Sequence, residues 1–113
     1  MEKVRPYLED RNGIIYEFKR LTRKQDSELM KIIKKNEDKE DLEGIEEAVK
    51  YMFLQSHPTK TIEDFEDIMD YTHDEYGNKD YVDLLGAIIE DSFQSPGGKK
   101  HPYLAQRDKA QEK

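Results

Sequence analysis

The sequence predicts a mainly helical α+β domain, in which an N-terminal β-hairpin is followed by about four amphipathic helices and a mobile polar C-terminal tail. Three observations carry that expectation. Apolar residues recur at steps of three and four in four separate stretches, the spacing that lines one side of a 3.6-residue helix. Asn12-Gly13 sits between two short runs of strand-forming residues, where a tight hairpin needs positive-φ positions. Ser95-Pro96-Gly97-Gly98 then ends regular structure ahead of a segment with few apolar residues.

With 113 residues the chain has room for one domain, assigned to residues 1–95, with a flexible tail at 96–113. Apolar residues make up 35% and charged residues 40%, so the core must be thin and each element held by a narrow stripe. A second copy of the chain could complete it. The absence of cysteine removes disulfides and thiolate metal sites and fits a reducing compartment, with cytoplasm as the expectation. The N-terminus is charged within its first three residues and has no apolar run behind it, which predicts neither a secretory signal nor a membrane span.

Lys3 to Leu8 and Ile14 to Lys19 read as the two strands, the second with Ile14, Tyr16 and Phe18 on one apolar face. Pro6 suits an edge strand. Thr22 followed by Gln25 is an N-cap with its reciprocal partner, opening a helix over Arg23 to Lys35 whose apolar side is Leu29, Met30, Ile32 and Ile33. Asn36 to Asp41 reads as a solvated charge run. Leu42 to Ser56 is the central helix, with Leu42, Ile45, Ala48, Val49, Met52 and Phe53 inward, and Pro58 ends it by pushing His57 out of the helical region. Thr61 to Asp64 repeats the cap pattern ahead of a third helix with Ile62, Phe65, Ile68, Met69 and Thr72 inward. Tyr76-Gly77-Asn78 closes that helix, and a last one over Asp80 to Phe93 turns Tyr81, Leu84, Leu85, Ile88, Ile89 and Phe93 to the core.

Charge is distributed unevenly. Residues 1–35 carry ten basic and six acidic side chains, residues 36–95 four and eighteen, and residues 96–113 five and two. A body of that sign repels the phosphate backbone, so nucleic-acid binding would rest on Lys19, Arg20, Arg23, Lys24, Lys31, Lys34 and Lys35 alone. A small nucleic-acid-associated or regulatory protein using that segment is the alternative reading.

No catalytic signature emerges. Asp70, His73 and Asp74 have helical spacing suited to a divalent ion, yet no second histidine joins them, and a solvated acidic face explains them as well. Laid on a calcium loop, residues 72–83 place Gly77 sixth but offer Thr72 first and Asp83 last, where aspartate and a bidentate glutamate are required. Phosphate-loop and nucleophile motifs are missing. The expectation is a protein that is not an enzyme and uses no metal or cofactor. Most aromatic residues fall at helical spacings and read as core, but Tyr51 and Phe53 cannot both share the central face, which leaves one for an exposed groove.

Two segments carry a resemblance, Ile14-Ile-Tyr-Glu-Phe-Lys-Arg-Leu-Thr22 leading into a charged helix, and Lys50 to Tyr71, KYMFLQSHPTKTIEDFEDIMDY. Together with the order of elements they resemble the tail assembly chaperones of long-tailed phages and prophages. In that family a helix with a bulky apolar cluster is followed by a proline break, a threonine-initiated acidic helix, a final amphipathic helix and a polar tail. The resemblance implies a non-enzymatic protein of the host cytoplasm that binds the tape-measure protein, and the tail tube subunit as a second candidate client, during assembly. It also implies a −1 ribosomal shift product, and Lys99-Lys100 lies where a slippery sequence would sit. The partner surface expected on this reading is Tyr51, Phe53, Phe65 and Tyr76, with Tyr103 and Leu104 of the tail.

Overall fold

The computed structural model describes residues 5–36, 42–93, 102, 103 and 106. Among these, two short strands, β1 (Leu8–Glu9) and β2 (Ile15–Tyr16), are followed by three helices, α1 (Arg23–Lys35), α2 (Leu42–Ser56) and α3 (Ile62–Ser92). The strands pair antiparallel with Leu8 opposite Tyr16 and Glu9 opposite Ile15. They are shorter than the alternation predicts. Gly13 has φ 81° and among the described residues no non-glycine residue has positive φ, so Asn12 does not supply the left-handed conformation expected of it. The turn is built around Asp10, whose Oδ1 accepts from the amides of Asn12 and Ile14 at 2.9 and 3.0 Å while its Oδ2 accepts from the Tyr16 hydroxyl at 2.9 Å. Burial pushes the Asp10 carboxyl up, but the Ile14 amide, the Tyr16 hydroxyl, the Asn12 amide and the Lys60 charge outweigh it and hold the group below its ordinary range.

Local chemistry fixes both capped helix starts. Thr22 Oγ1 accepts from the Gln25 amide while Gln25 Oε1 accepts from the Thr22 amide, and Thr61 and Asp64 repeat the exchange. Each box satisfies two backbone donors. The first hydrogen bond from the Thr61 amide is also the main reason the Asp64 carboxyl is held below its ordinary range. At the other end of α1, Asn36 is buried rather than solvated, because its amide group donates to the Ile32 carbonyl at 2.8 Å and to Glu47 Oε2 at 3.0 Å. Gly44 makes this approach fit, since a Cβ there would lie 2.6 Å from the Asn36 Cβ. The rest of the expected charge run, residues 37–41, lies outside the described residues.

Among the described residues the chain forms three helices rather than the expected four or so, because the third and fourth run on as one. Gly77 breaks helical geometry with φ 82° and ψ 163°, but the chain resumes its helix at once, without the intervening loop that the Tyr76-Gly77-Asn78 signal predicts. The reason lies in the phase of the two apolar stripes. Phe65 and Leu85 are both fully buried and stand twenty residues apart, about 200° beyond five full turns at about 100° per residue. In a straight helix those stripes would face nearly opposite directions, so the kink lets both reach one core.

That core forms around α2, which packs against both α1 and α3, while α3 also receives β1. Ala48, Val49, Met52 and Phe53 supply its middle, with Phe53 in ring contact with Tyr16, His57 and Phe65. Four residues assigned inward are instead exposed: Ile14, Met30, Ile62 and Phe93. Each stands at or near an element's end or beside the stripe's edge, where periodicity alone continues past the point at which neighbours run out. Arg5 Nε closes the molecule by pairing with Asp91 Oδ2 at 2.9 Å, across 86 positions of sequence.

Candidate functional site

The kink creates a groove. β1 and the residues before it lie along α3 on either side of Gly77, and the space between them is a cleft of about 440 Å³. Pro6, Tyr7, Tyr76, Leu84 and Ala87 give it an apolar lining, and Arg5, Glu9 and Asp80 supply charge. Thr72 also lines it, with its hydroxyl already committed to the Ile68 carbonyl at 2.7 Å. Tyr7 and Tyr76 stay exposed, Tyr76 at 52%. An apolar lining with charged groups beside it is the layout of a protein-docking patch, where the apolar part supplies affinity and the charged part supplies register.

The six residues expected to meet a partner do not converge. Tyr76 lines the groove. Phe53 and Phe65 are fully buried and form the core behind α3, so they hold the helix in place and face no solvent. Tyr51 is half-buried on the α1 side, where burial, then the charges of Glu28 and Asp26, push its phenol up. Tyr103 is exposed at 65%, with Pro102 and Gln106 also exposed and all three helical, and Leu104 lies outside the described residues together with most of the expected tail. Tyr7, Pro6, Leu84 and Ala87 were not legible as groove residues. Leu84 shares the spacing of the buried residues around it, and Tyr7 is brought to α3 only by tertiary packing.

His73 Nδ1 lies 3.8 Å from Asp74 Oδ1, and its ring stands edge-on to Tyr81 at 5.3 Å. Among the described residues no three histidine or carboxylate side chains are grouped to hold a metal. Residues 72–83 are helical apart from the kink, so the positions aligned with a calcium loop do not encircle a centre. Tyr81 is the one strongly perturbed acid there. Its hydroxyl donates to Glu46 Oε2, and burial, then that bond and the charge of Glu46, push the phenol well above its ordinary value. A phenol kept neutral against a carboxylate braces α3 on α2.

Comparison with known proteins adds no relative, since no family model, curated protein or solved structure matches the chain. Among the described residues no helix is long and apolar enough to cross a membrane.

Proposed function

We propose that this protein is a non-enzymatic assembly chaperone that shields an apolar stripe of a helical client, the client being the tape-measure protein of a long-tailed phage or prophage. The observation that carries the reading is the groove beside Gly77, lined by Pro6, Tyr7, Tyr76, Leu84 and Ala87 and flanked by charge. A client helix laid there would seat apolar residues one turn apart against the two tyrosines and Leu84. The acidic exterior of the same chain would keep the pair in solution, which a bare apolar helix could not achieve alone.

The test is co-expression with a tape-measure protein of a long-tailed phage, the client this reading names. Wild type should hold that protein in the soluble fraction, and Tyr76→Glu with Ala87→Glu, both at exposed positions, should lose this while keeping an unchanged circular dichroism spectrum. Retention by the double variant would place the client elsewhere, and failure of the wild type would end the chaperone reading.

A further inference from the structure

The exposed faces of α1 and α3 carry opposite charge in matching form. Arg23, Lys24, Lys31, Lys34 and Lys35 all lie within about 120° of the α1 circumference, counted at about 100° per residue, and all are exposed. On the first half of α3, Glu63, Glu66, Asp67, Asp70 and Asp74 lie within about 100° and are likewise exposed. Each stripe extends for roughly 17–18 Å of helix at 1.5 Å per residue. α1 makes no contact with α3, because α2 lies between them, so the two stripes do not neutralise each other within one molecule. Among the described residues the ion pairs made by these two stripes are local ones, Lys31 with Glu28 at 3.2 Å and Asp74 with His73 at 3.8 Å.

We infer that the basic stripe on α1 of one copy docks on the acidic stripe on α3 of a second copy. Five charges of each sign, equal length and exposure on both sides make the second copy a better fit than a nucleic acid, whose phosphates would meet the acidic remainder of the body. The contact joins two different surfaces, so it is heterologous and leaves one stripe of each copy open to the next, giving head-to-tail assembly. Surface charge pairs are individually weak, and the assembly is therefore concentration-dependent and salt-sensitive. Contact between stripes acts within a Debye length of about 10 Å at about 0.1 M salt, whereas the net charge of −7 repels at longer range as salt is withdrawn.

Sedimentation velocity on the full chain tests this with two charge-swapped variants. One carries Arg23→Glu, Lys31→Glu and Lys34→Glu, and the other carries Glu66→Lys, Asp70→Lys and Asp74→Lys. Wild type should associate with rising concentration at about 0.1 M salt and weaken at least about tenfold by about 0.5 M. Each variant alone should sediment as a monomer with a native circular dichroism spectrum, and their mixture should associate again. The inference is overturned by a wild type that stays monomeric at its highest soluble concentration, by association indifferent to salt, or by a mixture that does not associate. Binding of duplex DNA by wild type, with no association of the mixture, would assign the α1 stripe to a polyanion instead.

Discussion

Replacing Gly77 by alanine separates two descriptions of α3 by the sign of one number. In an ordinary helix the change from glycine to alanine stabilises by about 1 kcal/mol, because alanine loses less backbone freedom. Gly77 sits at φ 82° and ψ 163°, a region that essentially only glycine populates and that costs other residues about 1–3 kcal/mol. A Cβ at this position would meet no atom within 4 Å, so the cost is conformational and no clash contributes. The expected result is destabilisation by about 1–3 kcal/mol. For 113 residues, with an unfolding entropy of about 2.1 cal/mol/K per residue, this is a fall in Tm of about 4–13 °C. Urea unfolding followed by circular dichroism gives the free energy, and a thermal scan gives the midpoint. A rise in stability would refute the kink, and with it the account of how two stripes in opposing phase share one core.

Ile88 is almost fully buried in that core, and Ile88→Asp should destabilise by about 3 kcal/mol or more through an unpaired buried carboxylate, read as a fall in Tm, with an unchanged midpoint showing that the inner face is assigned wrongly. Tyr81 should contribute to the loss of stability in alkali. Its folded pKa is raised above the ordinary 10.0, so its contribution is intact below about pH 10 and declines as pH rises further, when the unfolded chain loses a proton that the folded chain keeps. Tyr81→Phe should cost about 1–2 kcal/mol at neutral pH and flatten the decline above pH 10, and an unaltered alkaline limb in urea titrations would contradict this.

How much could be read beforehand depended on whether the signal was local. The two capping boxes and Pro58 are chemical instructions written within four residues, and α1 and α3 begin, and α2 ends, where those instructions place them. The hairpin was legible as a turn but not in length, since pairing needs a partner strand and the available register holds only two residues on each side. Gly77 was legible as a break, yet a glycine says nothing about the direction in which a chain continues. For the candidate site the limit is sharper still. Tyr76, Phe53 and Phe65 all obey helical spacing, and only packing against β1 and α2 separates the exposed tyrosine from two buried rings.

The Arg5–Asp91 pair bears on synthesis as well as on the finished molecule. Its partners are 86 positions apart, and a ribosome adding about 5–20 residues per second places roughly 4–17 s between them. During that interval β1 has no α3 to rest on, and an isolated two-stranded hairpin is marginal in water. α1 and α2 can meet early, because they are neighbours in sequence, and Tyr16 of β2 can rest on Phe53 of α2, but β1 must wait for α3. The groove beside Gly77 thus comes into being only once the chain has been made as far as Ala87, which supplies its far wall.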